Sequence, residues 1–178
     1  DVIDYYSYDS DGDSYQYDGE SREFEIEADE IEVSGGENEQ LELKSSVHGP
    51  VIEEQQQEVG VTWTGHAATE TSLAIYELTH SEGVDEALAA AEKWEAPPQN
   101  FVYGDRDGNT RYQVLGRFPI RRVDGETVRG NRVFDGSNPG WEKFEPFERP
   151  TAWEEDESGD ENPAFVPFAE NPHVENPE

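Results

Sequence analysis

The sequence predicts a mixed α+β fold, dominated by antiparallel strands and carrying a short helical pair near its middle. Three observations predict it. Apolar and polar residues alternate over 22–52 and again at Val59, Val61 and Trp63, the period of a half-buried strand. Between 69 and 95 the apolar spacing changes to that of a helix. Residues 99–115 then place two strand-forming runs around Asp105-Arg106-Asp107-Gly108-Asn109, where Gly108 and Asn109 tolerate the positive φ of a tight turn. The chain divides accordingly into an antiparallel β segment (1–65), a helical pair (66–98), a β-hairpin with its exit (99–122), and an irregular part (123–178) with an acidic insertion at 154–161.

In order, Tyr6, Tyr8, Tyr15 and Tyr17 flank Asp9-Ser10-Asp11-Gly12-Asp13 and predict two strands joined by a turn. An EF-hand reading of that turn fits poorly, since Asp18 stands where a bidentate glutamate belongs and no helices flank it. Phe24, Ile26 and Ala28 share one face, whereas Ile31 and Val33 resume one residue out of phase, which predicts a bulge or turn at Asp29-Glu30. Ser34-Gly35-Gly36 turns the chain, Leu41, Leu43, Ser45 and Val47 continue the inward face, and His48-Gly49-Pro50 ends the strand because proline cannot donate to a ladder. His48 has no nucleophile at a suggestive spacing and reads as a structural hydrogen-bonding group rather than a general base.

Glu53–Glu58 is a polar connector to the strand 59–63. Thr69 or Thr71 caps a helix through Thr79, with Leu73, Tyr76 and His80 on one stripe and Ile75 and Leu78 beside them. Ser81 caps a second, with Val84, Leu88 and Ala91 in line, ended by Ala96-Pro97-Pro98. Beyond Arg122 clear periodicity is lost. Phe144-Glu145-Pro146-Phe147 and Phe165-Val166-Pro167-Phe168 are similar strings on either side of an acidic tract with nothing apolar to bury.

Composition narrows the class. The formal charge is −31, with nine arginines but only three lysines. Such a chain repels nucleic acid and anionic membranes, so neither is an expected partner. Its 11% aromatic content and patterned strands argue against disorder of the whole. Acids on most solvent-facing positions point to a high-salt setting, where cations screen a field that otherwise opposes folding. Absence of cysteine removes disulfides and thiolate chemistry. No apolar run is long enough to span a bilayer. Absence of methionine suggests a processed chain or an excised segment.

The hairpin string Gln99-Asn100-Phe101-Val102-Tyr103 through Asp107-Gly108-Asn109, followed by Gly116-Arg117-Phe118-Pro119-Ile120-Arg121, resembles the β chain of the penicillin acylase (penicillin amidase) family. Three further strings agree in order: Asp1-Val2-Ile3-Asp4, Val47-His48-Gly49-Pro50-Val51-Ile52, and Pro167-Phe168 through Asn171-Pro172-His173-Val174-Glu175-Asn176-Pro177. The resemblance implies an N-terminal-nucleophile hydrolase with an αββα core and a β-rich insertion. In it a serine created by self-cleavage attacks an amide, with its own α-amino group as base and a backbone amide plus an asparagine side chain holding the oxyanion. By that resemblance both the serine and the asparagine lie outside this stretch, so no residue here is a catalytic candidate and the segment alone is expected to be inactive.

The resemblance assigns two contributions to this stretch. Asp1, the Ile3 carbonyl and Asp4 correspond to part of a structural calcium site, and three oxygens suit that hard cation. The bland reading is two solvated acids in an acidic chain. Tyr76 falls at an aromatic wall of the acyl pocket and Gln99 at an apolar pocket position, which Gln99 would make more polar; alternatively Tyr76 is helix core. The implied partners are the remainder of the parent enzyme and a small acylated amine, with no organic cofactor. A rival from another class is a non-catalytic, calcium-dependent β module that binds a partner, resting on the acidic turns at 9–13 and 154–161; a third is a family member that kept the scaffold and lost activity.

Overall fold

The computed structural model describes residues 2–141 and 165–175. Asp1, the Phe144–Phe147 string, the acidic insertion 154–161 and Asn176-Pro177 lie outside the described residues. In chain order the strands are β1 (Ile3–Ser7), β2 (Ser10–Asp11), β3 (Ser14–Tyr17), β4 (Glu20–Glu23), β5 (Glu25–Ile31), β6 (Glu39–Ser46), β7 (Gly49–Glu54) and β8 (Gln57–Trp63). A 3-10 turn at Thr64–His66 leads into helices α1 (Thr71–His80) and α2 (Val84–Ala91). Strands β9 (Gln99–Gly104), β10 (Thr110–Leu115), β11 (Arg122–Val123), β12 (Glu126–Thr127), β13 (Val133–Asp135) and β14 (His173–Glu175) follow. The chain forms two compact units, one from 3–62 with the described part of 122–142, the other from 63–121 with Val2 and 165–175.

The first unit is built on a six-stranded sheet of order β13-β1-β8-β7-β6-β5, with β2, β3 and β4 in a smaller sheet. Tyr6, Tyr15, Phe24 and Phe134 are its buried aromatics. Tyr6 stacks on the His48 ring at 4.0 Å and 7°, and Tyr15 on Phe24 at 4.6 Å. Strand β13 adds to β1 in parallel, pairing Tyr6 with Phe134, so part of the stretch read as irregular supplies a core residue. Nothing in the bare sequence around Val133-Phe134 marks this, because a three-residue strand has no period to read.

Three readings are corrected here. Strand β5 runs through Asp29-Glu30 without a break, paired with β6 in one register from Glu25↔Ser45 to Ile31↔Glu39. The apparent phase change reflects a hairpin with apolar residues on both faces, all of them outside the core: Ile26, Ile31, Leu41, Leu43 and Ile52 are each 39–49% exposed. The reversal after β6 comes at Val47-His48, before the proline, and Pro50 pairs with Ser45 inside β7. Gly49 is fixed there by a φ of 105° and by space, since a Cβ would lie 2.5 Å from the Val61 carbonyl oxygen. Finally, Glu53–Glu58 is a two-residue hairpin rather than a connector, with Gln55 and Gln56 both at positive φ and Glu53 opposite Glu58.

In the second unit β9 and β10 form the predicted hairpin, from Thr110↔Gly104 to Leu115↔Gln99. Strand β14 adds to its other side, Tyr112 opposite Val174. The helical pair forms as expected, but it packs through alanine. Ala74, Ala87, Ala90 and Ala91 are buried, whereas Leu73, Ile75 and Tyr76 are 41–60% exposed. Small side chains let two helices approach closely, and this inverts the stripe expected on α1. The expected caps are also replaced. The N-cap positions are Glu70 and Gly83, neither with a side-chain cap of its own. Among the described residues no helix is long and apolar enough to cross a membrane.

Candidate functional site

The second unit contains a buried polar junction where the start of α1, the start of β9 and the end of β10 meet. Glu95 is 2% exposed and Arg117 4%, with Arg117 Nη1 3.5 Å from Glu95 Oε1. The other carboxylate oxygen accepts the Glu70 backbone N–H at 2.6 Å, serving the helix terminus that lacks a cap of its own. The Arg117 N–H donates to the Glu95 carbonyl at 2.8 Å. Thr71, the first residue of α1, donates its hydroxyl to the Ala96 carbonyl and accepts the N–H groups of Glu95 and Ala96. The Arg117 guanidinium lies 4.1 Å from the centre of the Phe165 ring.

Close backbone packing completes the junction. Gly116 has a φ of 119°, and a Cβ there would sit 2.8 Å from Pro98 Cα. Buried Asn171 directs its amide to the carbonyls of Val114 and Gly116, and the Val114 N–H donates to the Pro172 carbonyl. The Asn171-Pro172 string singled out in the sequence thus fastens the far end of the hairpin. Sequence reading missed Glu95 and Arg117; the only signal was that an acid and an arginine each sit beside proline-bearing apolar strings, Ala96-Pro97-Pro98 and Phe118-Pro119.

Both predicted substrate residues extend from this junction. Tyr76 lies one and a half turns along α1 from Thr71, 60% exposed, its ring 4.3 Å from that of His80. It is a surface residue of this chain and not helix core. Gln99 opens β9 three residues after Ala96 and is exposed, opposite buried Leu115. The two are carried on different elements, α1 and β9.

Of the predicted metal ligands, Asp4 is 1% exposed in β1 and Ile3 is half-buried beside it, while Asp1 lies outside the described residues. A buried carboxylate next to a main-chain carbonyl is chemically suited to a hard cation. Among the described residues no three histidine, aspartate or glutamate side chains form a group able to hold a metal. His48 is 6% exposed, with Nδ1 2.9 Å from the Tyr8 hydroxyl, which in turn contacts Ser46 Oγ. Ser46 Oγ also receives the His48 N–H and lies 3.2 Å from the Gly49 carbonyl. These groups tie the β6–β7 turn to β1, a structural assignment for His48.

The model of the family described as Penicillin amidase matches residues 1–178, the whole chain. The chain belongs to the penicillin amidase family. The thermostable penicillin G acylase from Alcaligenes faecalis in orthorhombic form has the same fold over 99% of this chain, with a TM-score of 0.72 at 20% identity. The aligned region is 29% of that acylase's chain. A mixed arrangement of sheets with two helices is thus shared with a penicillin amidase relative of much greater length.

Proposed function

We propose that this chain is the pocket- and metal-bearing part of an N-terminal-nucleophile amide hydrolase that cleaves a bond between an acyl group and an amine. The observation that carries the reading is the family match along all of 1–178, supported by a common fold over 99% of the chain. In this reading the nucleophilic serine, its α-amino base and the oxyanion asparagine come from sequence outside this stretch, and the present residues shape the site. Tyr76 forms an aromatic wall of the acyl pocket and Gln99 a polar one; their exposure on this chain is consistent with a pocket closed by the rest of the enzyme. Asp1, the Ile3 carbonyl and Asp4 contribute to a structural calcium site, whose role is to fix the segment rather than to react.

The test is made on the full-length enzyme containing this chain, using amides of one amine with phenylacetyl and linear acyl groups. Tyr76→Ala lowers kcat/KM for the aromatic acyl group, and Gln99→Leu raises it, each by about tenfold. Added calcium raises the melting temperature of that enzyme and does so less for Asp4→Asn. An unchanged ranking of acyl chains in both pocket variants, or no amide hydrolysis at all, sinks the reading.

A further inference from the structure

We infer that Glu95 and Arg117 are positioning residues for acyl selectivity, a buried charge pair that sets α1 against β9. The inference rests on the amide hydrolase reading above. Its starting point is the environment of the pair. Two groups at 2% and 4% exposure have given up their hydration, yet Glu95 Oε1 has no hydrogen-bond partner among the described residues, with Arg117 Nη1 3.5 Å away. The pair keeps most of its Coulomb attraction at that separation but lacks a hydrogen bond at Oε1, and a buried ion pair often adds no net stability over apolar side chains of similar volume, so stability alone is a poor reason for charges here. What charges supply that apolar side chains do not is a fixed direction.

That direction is transmitted at both ends. Glu95 holds the Glu70 amide, immediately before α1, at 2.6 Å, and its main-chain N–H reaches the Thr71 hydroxyl. Its carbonyl accepts the Arg117 amide at 2.8 Å, directly after Gly116. Gly116 packs so closely on Pro98, the residue before Gln99, that a Cβ there would lie 2.8 Å from Pro98 Cα. The Glu95 side chain thereby holds the root of the helix carrying Tyr76, its main-chain carbonyl holds the segment packed against the root of the strand carrying Gln99, and the Arg117 guanidinium 3.5 Å away sets the direction of the Glu95 carboxylate. A small tilt at the root displaces a side chain five residues along a rigid helix by a comparable or larger distance, and pocket discrimination is sensitive to shifts of that size.

Stability and positioning are separable with two sets of variants in the full-length enzyme. Arg117→Met alone leaves a buried carboxylate unpaired, and the enzyme melts earlier. The double variant Glu95→Gln/Arg117→Met retains an acceptor for the Glu70 amide and removes both charges, so it melts above Arg117→Met. The expected result is that the double variant still shifts the phenylacetyl-to-linear-acyl ratio of kcat/KM by about tenfold, mainly through KM, while Arg117→Lys keeps the wild-type ratio more closely. A folded double variant that retains the wild-type acyl ratio overturns the inference, provided Tyr76→Ala still moves that ratio. If Tyr76→Ala and Gln99→Leu also leave it unmoved, the pocket reading itself has failed and this inference falls with it.

Discussion

Tyr8 shows how one hydroxyl organises a buried polar group. Its single proton can go to Ser46 Oγ or to His48 Nδ1, so the His48 tautomer and the Ser46 rotor are set together. Gly60 makes room for it, since a Cβ there would lie 2.2 Å from the phenol oxygen. Tyr8→Phe removes one hydrogen-bond partner from each of Ser46 and His48 and costs about 0.5–1.5 kcal/mol near neutral pH. Burial pushes the Tyr8 phenol well above its ordinary value of 10.0, opposed in part by the Ser46 hydrogen bond. A folded phenol that ionises later than the unfolded one stabilises fully below pH 10 and loses that contribution as the pH rises beyond it. Urea midpoints of wild type and Tyr8→Phe should therefore converge between about pH 10 and 12; a constant gap over that range refutes the assignment.

Among the elements, α2 begins without a side-chain cap, and the Asp105 carboxylate of the β9–β10 turn lies beside its N-terminus, 4.0 Å from where a Cβ on Gly83 would stand. A negative charge is favourable there. Asp105 accepts the Asp107 and Asn109 amides and the Asn109 side chain. These donors, the Asn109 side chain foremost, hold the Asp105 carboxyl below its ordinary value. A carboxyl depressed in this way stabilises above about pH 4 and loses the effect as pH falls through its folded value. Asp105→Asn should lower the melting temperature at pH 6, with the gap closing toward pH 3, and should speed amide exchange at Val84–Ala87. Unchanged exchange there would show that the Asp105 charge does not support the start of the helix. The same element shows what was legible beforehand. The hairpin and both helices were readable because each carries a period or a turn residue over many positions. Their fastening was not: Asp105 and Glu95 reach helix termini that are 21 and 25 residues away in sequence. The β7–β8 turn was hidden for a different reason, since Gln55 and Gln56 adopt positive φ without the glycine or asparagine that announces it. Of the site, the resemblance could place Tyr76 and Gln99, whereas the buried pair beneath them became visible only once three elements were folded together.

At the scale of the whole molecule, charge is the dominant property. Acids exceed bases by 31, so most carboxylates have no cation to meet. Some bases are already committed: Lys44 to Glu58, Lys93 to Glu77, Arg111 to Glu175. Like charges meet directly where Glu53 pairs with Glu58 across the β7–β8 hairpin, an arrangement that destabilises a sheet. Dissolved salt opposes this repulsion, because the screening length falls from about 10 Å at 0.1 M to about 3 Å at 1 M. The melting temperature should rise by about 4 °C or more between dilute buffer and 1 M KCl, on the order of 1–2 kcal/mol for a chain of this size. Screening saturates once the screening length is shorter than the spacing between neighbouring carboxylates, so most of the rise should precede 1 M. A salting-out effect on Ile26, Leu43 and Ile52 would instead continue upward and be stronger in sulfate. Glu53→Lys, which turns a repulsive cross-strand pair into an attractive one, should raise the low-salt melting temperature and flatten the KCl dependence. A profile that is flat from the outset would mean that the acidic surface does not strain this fold.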